Sequence, residues 1–259
     1  MIYLKTDEEV ELMRRSNDLL GRTLAEVAKV IRPGVTTAEL DKVAYEFICD
    51  NGGIPSCLGY EGYPATLCTS VNEQVVHGIP SDKVILKDGD IVSVDTVVKL
   101  DGFCADSAYT FPVGEVAPEV LQLMRTTKEA LYLGIEQAVT GRRLGDIGAV
   151  IQQHCERAGY SVVREFVGHG IGREMHEDPQ VPNFGKPGTG KQLKNGLCIA
   201  IEPMIVQGSH QIWMMPDKWT IKTRDGGYAA HFEHTIAIHH GKPEILSSFE
   251  EIEKIDNQY

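Results

Sequence analysis

The chain has 259 residues, with 25 Lys and Arg against 37 Asp and Glu, so its formal net charge at pH 7 is −12. Because binding to a phosphate backbone needs a basic face, this excess of acidic residues argues against DNA as a main partner, although it leaves room for a local basic patch. No apolar run is long enough to cross a membrane, and the N-terminus is too charged for a secretory signal, so we predict a cytoplasmic protein without membrane contact.

Two helices are predicted before the first strands. Thr6 and Glu9 have the spacing of a capping box, and the apolar residues that follow recur on one helical face as far as Ile31. Thr36 and Glu39 repeat the capping-box spacing at the start of a second helix.

The second half of the chain repeats this plan at a constant offset. Pro118 opens a helix that Gly141 breaks, and the next helix ends at Gly159. Gly141 lies 107 positions after Gly34, and Gly159 lies 107 positions after Gly52, which ends the second helix of the first half. We therefore predict two related halves, each with two helices followed by strands.

The same offset relates two short segments, KDGDIVSVD ending at Asp95 and KNGLCIAIE ending at Glu202. Each has a basic turn, an apolar run typical of a buried strand and a terminal carboxylate. Because an ionised carboxylate in an apolar setting is costly unless it is paired or binds metal, the two acids indicate one site shared between the halves. No Pro- or Ser-rich linker separates them, so we expect a single domain, 1–259, with pseudo-symmetric halves of roughly 1–115 and 116–259.

A predicted hairpin places a second acid beside Asp95. The Asp-Gly dipeptide at 101–102 is a strong signal for a two-residue turn. Counting outward from it pairs Val97 with Asp106, so Asp95 and Asp106 become diagonal neighbours, about 7 to 8 Å apart at the backbone. Their charges would repel, and a divalent cation would remove the repulsion. Alternatively, both are solvated acids on an exposed hairpin.

Three later segments carry further candidate site residues. VGHGIGREMHEDP contains His176 and also His169, which stands between two glycines that allow close backbone approach. IEPM contains Glu202, and AAHFEHTIAI, predicted as one strand over 229–238, contains Glu233. Taken singly, each histidine is also compatible with an ordinary core or surface position, and Glu233 with a solvent-facing one.

Together these segments resemble the type I methionine aminopeptidases, within the wider group of dinuclear metallopeptidases that includes prolidase and creatinase. The resemblance covers nearly the whole chain and rests on NEQVVHGIP, DIVSVD with DGFCAD, GHGIG with MHEDP, IEPM and FEHT. It implies an α+β pita-bread fold with pseudo-two-fold internal symmetry, in which helices cover an antiparallel-rich sheet. The site would lie between the two halves.

The resemblance implies two divalent metal ions per chain. Their ligands would be Asp95, Asp106, His169, Glu202 and Glu233. Asp106 and Glu233 would bridge the ions, and His169 would bind only one. Four carboxylates balance two dications, and this oxygen-rich set suits Mn²⁺, Fe²⁺ or Co²⁺, with Zn²⁺ as a further candidate.

The resemblance also implies the reaction, which is removal of the initiator methionine from nascent peptides, preferably when the second residue is small. A metal-activated hydroxide would attack the first peptide bond, with Glu202 as general base and proton shuttle. His77 and His176 would bind the substrate and stabilise the tetrahedral intermediate. The expected partners are nascent polypeptide N-termini, with the ribosome as a candidate, and we expect a monomer.

A methionine pocket is expected at positions that match the family. Its side chains would be Cys57, Tyr60, Tyr63, Cys68, Met175 and Trp219. Sulfur and aromatic groups suit a thioether, although the segment CLGYEGYPATLC is also compatible with a core loop. Met175 stands where many relatives carry Phe, and His231 where many carry Gln. Asp106 and Glu233 differ by 127 rather than 107, so the second half contains an insertion after Glu202, within which Trp219 lies.

Two other patterns are rejected. GKPGTGKQ at 185–192 nearly spells a phosphate-binding P-loop, but Gln192 replaces the hydroxyl residue, and PQVPNF before it has two prolines and is not a core strand. The six cysteines form no CxxC pair, so we expect free thiols rather than a disulfide framework.

Two other functions remain open. One is a related metallopeptidase with different specificity, such as an X-Pro peptidase; the match to the methionine pocket and the lack of a separate N-terminal domain weigh against it. The other is a non-catalytic binding protein of the same fold, and the presence of all five candidate ligands weighs against that.

Overall fold

The computed structural model describes residues 1–256, which contain five α-helices and fifteen β-strands. The helices are α1 (Asp7–Ala28), α2 (Thr37–Asp50), α3 (Pro118–Glu136), α4 (Leu144–Arg157) and α5 (Glu250–Asp256). The strands are β1 (Ile54–Pro55), β2 (Cys68–Val71), β3 (Gln74–Val76), β4 (Ile91–Leu100), β5 (Phe103–Pro112), β6 (Ser161–Val162), β7 (Gly168–Gly170), β8 (Glu177–Val181), β9 (Cys198–Ile201), β10 (Met204–Val206), β11 (Ile212–Met214), β12 (Ile221–Thr223), β13 (Ala229–His231), β14 (His234–His239) and β15 (Lys242–Ile245). Across this described part, every helix is too short or too polar to span a bilayer.

Both predicted capping boxes are confirmed. The Thr6 hydroxyl accepts from Glu9 N at 3.3 Å while the Glu9 carboxylate accepts from Thr6 N at 3.1 Å. Thr36 and Glu39 make the same reciprocal bonds at 3.2 and 2.8 Å. The predicted end of the first helix was wrong. Ile31 lies beyond α1 because the chain tightens there, with its N–H donating to a carbonyl only three residues back.

The second half begins as predicted, with Pro118 in the first turn of α3. This helix stops before Gly141, since the chain turns first. The glycines related by the offset have similar backbones, with φ of 93° and 94° at Gly34 and Gly141, and 76° and 86° at Gly52 and Gly159. Side-chain-bearing residues rarely adopt this region, so the agreement supports the internal repeat.

The strands form small antiparallel sheets, as expected for an α+β fold. Their orders are β1-β4-β2 with β5 also on β4, β13-β10-β6, β11-β12-β3, and β15-β14-β9-β7-β8. Helix α1 packs on β4 and β5, and α3 packs on α4 and on the sheet of β10 and β13. The main hydrophobic core lies between these helices and strands.

The β4–β5 hairpin has the predicted register, with Leu100 opposite Phe103 and Val97 opposite Asp106. The expectation that the first repeated strand ends at its acid was wrong, because β4 continues to Leu100 and Asp95 lies inside it. β4 continues past Asp95 because it pairs with β5 along its whole length, from Ile91 to Leu100. The second copy does end as expected, with Glu202 directly after β9.

The prediction of one strand over 229–238 was also wrong. Phe232 and Glu233 separate β13 from β14, and these strands belong to different sheets. Their partners divide in the same way, since Glu202 and Pro203 separate β9 from β10. A local alternation pattern cannot show that a strand leaves one sheet and enters another.

PQVPNF is not a core strand, and the cysteines form no disulfide framework, as predicted. The first residues of PQVPNF belong to β8, which lies at the edge of its sheet, where a proline without an N–H is tolerated. All six cysteines are free thiols, as predicted, and all except Cys49 are buried.

Candidate metal and catalytic site

A cavity of about 550 Å³ opens where the ends of several strands meet. The predicted site residues that line it are Cys57, Tyr60, Tyr63, Cys68, His77, Asp95, Asp106, His169, Met175, His176, Glu202 and Trp219. Glu233 lies behind this surface, and one of its carboxylate oxygens is within 4.8 Å of ligand atoms of Asp106 and His169. The structure therefore brings together every residue that the sequence predicted for the site.

The candidate ligands cluster tightly. His169 Nε2 lies 3.5 Å from Asp106 Oδ2 and 3.6 Å from Glu202 Oε1. His169 Nδ1 lies 2.9 Å from the carbonyl oxygen of Gly170, which can only accept, so Nδ1 must donate. This leaves Nε2 toward the carboxylates, the orientation in which an imidazole binds a metal.

Hydrogen bonds to the backbone hold Asp106, on β5, beside Glu233, which lies between β13 and β14. Asp106 N donates to Thr235 Oγ1 at 3.1 Å, and that hydroxyl donates back to Asp106 O at 2.7 Å. Glu233 N donates to Ala108 O at 2.9 Å, and Ser107 Oγ donates to Glu233 O at 2.7 Å. The break between β13 and β14 is thus fastened directly to β5.

The alternative of solvated acids is wrong for Asp106 and Glu233, which are 5% and 2% exposed. Burial and the Asp106 charge raise the pKa of Asp95 and Glu233 well above their usual values. Burial raises the pKa of Glu202 to about 8, although His169 opposes the shift. These groups are each costly to ionise unless a cation neutralises them.

The donor set fits a divalent metal. Within residues 1–256, Asp106 Oδ1 and Glu233 Oε1 are buried without a hydrogen-bond partner. Burial lowers the pKa of His169, but the Asp106 and Glu202 carboxylates outweigh that and raise it to about 9. A dication would satisfy the orphaned oxygens and displace the imidazole proton, which is the chemistry that several carboxylates and one histidine provide.

Two further histidines stand on the cavity wall. Burial and the neighbouring His176 lower the pKa of His77 to about 4, and burial and His169 lower that of His176. Both rings are therefore neutral near pH 7. The Tyr60 hydroxyl lies 2.8 Å from His176 Nδ1. His77 has a φ of 59°, a strained backbone for this residue type and one that is often found at functional sites.

The expected methionine pocket forms one part of the cavity. The Tyr63 and Trp219 rings meet edge to face with centroids 5.0 Å apart. The Tyr63 hydroxyl donates to Leu67 O at 2.9 Å, which holds its ring in place. Trp219 projects from the loop between β11 and β12, within the predicted insertion, and its backbone N–H donates to Asp217 Oδ1 at 2.9 Å. Cys57 and Met175 are each 8% exposed.

Some cavity residues were not predicted. Phe166 meets His77 edge to face at 5.4 Å between centroids, yet its segment carries no motif beyond nearness to GHGIG. Glu61, Asp178 and Gln180 also line the cavity. His231 was noted only as a departure from relatives, and it proves to be a buried member of the cavity wall.

Comparison with known proteins agrees with this geometry. The family described as "Metallopeptidase family M24" matches residues 11–240. The chain is 49% identical over 247 residues to "Methionine aminopeptidase" of Clostridium acetobutylicum. The aligned residues make up 95% of this chain and 99% of that protein.

Solved structures are similar over the same extent. A methionine aminopeptidase from Thermotoga maritima has a TM-score of 0.94 and 44% identity, covering 96% of this chain and 100% of that one. An Xaa-Pro dipeptidase from Bacillus anthracis has a TM-score of 0.73 and 21% identity, covering 95% of this chain and 62% of that one. The second similarity concerns the fold alone.

Proposed function

Because the chain belongs to metallopeptidase family M24, with the family's pita-bread fold, we propose that it removes N-terminal methionine from peptides. Its 49% identity to a protein named methionine aminopeptidase, over 95% of this chain, supports the activity. The observation that carries the proposal is the cluster of Asp106, His169 and Glu233 at a cavity whose wall also carries sulfur and aromatic side chains. We further propose a preference for small second residues.

Asp95, Asp106, His169, Glu202 and Glu233 would hold two divalent metal ions. The buried oxygens of Asp106 and Glu233 that lack partners, and the His169 ring whose Nδ1 contacts Gly170 O so that Nε2 faces the carboxylates, fit such ions. Mn²⁺, Fe²⁺ and Co²⁺ suit the oxygen-rich set, with Zn²⁺ as a further candidate. When bound, the ions supply Lewis acidity and an activated water as nucleophile.

Glu202 would handle the proton. It lies on the cavity wall with one oxygen 3.6 Å from His169 Nε2, so its carboxylate is close both to the candidate metal ligands and to the space that a substrate would occupy. In this role, Glu202 takes a proton from the attacking water and delivers it to the departing amine.

His176 and His77 would act as neutral hydrogen-bond donors. If the Tyr60 hydroxyl donates to Nδ1 of His176, the ring carries its proton on Nε2. That N–H is available to stabilise negative charge that develops on the substrate oxygen. His77, on the same wall and beside Trp219, would hold the substrate's backbone.

The pocket would bind the methionine side chain. Cys57, Tyr63, Cys68 and Trp219 give a thioether apolar and aromatic contacts, and Tyr60 and Met175 complete the wall. The substrates would be nascent polypeptide N-termini. We place the protein in the cytoplasm as a monomer and regard the ribosome as a candidate partner.

A peptide assay tests the activity. After addition of Mn²⁺ or Co²⁺, we expect methionine release from Met-Ala-Ser, little from Met-Leu-Ser and none from Leu-Ala-Ser. Cleavage of Ala-Pro-Ser instead would favour an X-Pro peptidase. Absence of metal-dependent cleavage of all four peptides would contradict an enzymatic role.

A further inference from the structure

His231 is a buried histidine beside the metal site, and none of the roles above uses it. It ends β13, is 2% exposed and lines the cavity. Within residues 1–256, neither of its ring nitrogens has a hydrogen-bond partner. Burying an imidazole with both nitrogens unsatisfied is costly, so the position calls for a ligand that the ring can bind.

Like His169, His231 has its Nε2 near two carboxylates, although at longer distances. Its Nε2 lies 4.0 Å from Glu202 Oε2 and 3.9 Å from Glu233 Oε2, and His169 Nε2 lies 3.5 and 3.6 Å from oxygens of Asp106 and Glu202. All four distances exceed the usual hydrogen bond of about 2.7–3.2 Å. They stay below about 4.2 Å, the greatest separation of two donors with bonds of about 2.1 Å to one ion.

Glu202 connects the two imidazoles. Its Oε1 is the oxygen near His169, and its Oε2 is the oxygen near His231. Each oxygen of this carboxylate therefore has an imidazole nitrogen within 4.0 Å. This arrangement differs from a site with a single histidine.

The backbone of His231 is held firmly, as a ligand's must be. His231 N donates to Thr110 Oγ1 at 3.0 Å, and that hydroxyl donates to His231 O at 2.7 Å. Thr110 is in turn bonded to Ser93 on β4 at 2.8 Å. The bonds fix the position from which the ring projects, and such support orients metal-binding side chains.

We propose that His231 binds metal through Nε2, so that the site contains two imidazole ligands, one beside each oxygen of Glu202. This rests on the metal site of the proposed function and adds a sixth ligand to its five. Because imidazole favours borderline ions, the second nitrogen should strengthen Zn²⁺ and Co²⁺ binding more than Mn²⁺ binding.

X-ray absorption at the metal edge counts imidazole ligands without reference to activity. In native protein loaded with two equivalents of Co²⁺, we expect an average of about one imidazole per ion, falling to about one half in His231→Gln. His234→Gln is the matched control, since His234 also neighbours Glu233 but its nitrogens already contact Ser247 and Tyr132 at 2.6 and 3.3 Å. Its imidazole count should equal that of native protein.

Calorimetric titration gives a second measurement. His231→Gln should weaken Zn²⁺ binding at one of two sites by at least about tenfold, the lower limit for losing even an indirect support, with a smaller effect on Mn²⁺. Native protein that binds two ions with about half an imidazole each would overturn the assignment of His231 alone. Native protein that binds no metal would overturn the proposed function as well. If His231→Gln does not fold, the native spectrum still decides.

Discussion

Glu202 lies opposite Glu233 where two antiparallel strand pairs change sheets. Met204 pairs with His231 and Ile201 pairs with His234, and the same register carried inward sets the two glutamates across from each other. Both strands are interrupted at this point, so neither acid is committed to a continuous ladder. Because Glu233 is buried and Glu202 is half-buried, the two carboxylates repel when both are ionised, and a cation between or beside them would remove that repulsion.

We expect Asp106→Asn and Glu202→Gln each to abolish turnover, with kcat/KM reduced by roughly a thousandfold or more. Asp106→Asn should also lower the metal content, because it removes charge from a side chain within 3.5 Å of His169 Nε2. Peptide hydrolysis and elemental analysis measure the two effects. Native-like activity in either variant would contradict the assigned roles.

The sequence predicted local geometry well where a single turn or cap determines it. The register of Asp106 followed from the Asp-Gly turn, whose residues both have positive φ, 51° and 84°. The start of α1 followed from Thr6 and Glu9 for a similar reason, since the bonds involved are three residues apart. The grouping of the five candidate ligands came from the resemblance, since only folding brings residues so distant in sequence together.

What could not be predicted depends on contacts between distant segments. The interruption at Phe232 follows from β13 and β14 having partners in different sheets, which local alternation cannot reveal. The proximity of His231 to Glu202 arises from the same exchange of partners. Phe166 enters the cavity through its contact with His77, for which its own segment has no signature.

Metal-free protein should lose stability as the pH rises from about 6.5 to about 8. The folded-state pKa of Glu202 is raised to about 8 and that of His169 to about 9, so the folded protein binds more protons than the unfolded chain in this range. Stability then falls with increasing pH, by up to about 2 kcal/mol for one proton over this interval. His77 and His231, whose pKa values are lowered to about 4, act in the opposite direction, but mainly below pH 6.5.

Thermal or urea unfolding of chelator-treated protein across this range measures the effect. Metal-loaded protein is the control, because bound cations compensate the same carboxylates and flatten the dependence. Glu202→Gln should also reduce the slope in the metal-free protein. A metal-free stability that increases toward pH 8 would contradict the proposed electrostatics of the site.

Trp219→Ala should raise the KM for Met-Ala-Ser about tenfold, which corresponds to losing about 1.4 kcal/mol of apolar contact. Trp219 is partly exposed but packs edge to face on Tyr63, so the unfolding midpoint should also fall, and KM is compared at a temperature where both proteins are folded. Trp213→Ala is the matched control, because Trp213 lies on the same hairpin, is 44% exposed and is absent from the cavity lining. Equal effects of the two substitutions on KM would show that Trp219 does not contact the methionine side chain.

Tyr60→Phe should lower kcat about tenfold with little change in KM, because its hydroxyl lies 2.8 Å from His176 Nδ1 and sets which ring nitrogen carries the proton. Loss of that contact lets the ring adopt either tautomer, and only one presents an N–H to the substrate oxygen. A double-mutant cycle separates this role from simple packing. In a His176→Ala background, Tyr60→Phe should have no further effect on kcat, and an undiminished tenfold loss there would mean that Tyr60 acts independently of His176.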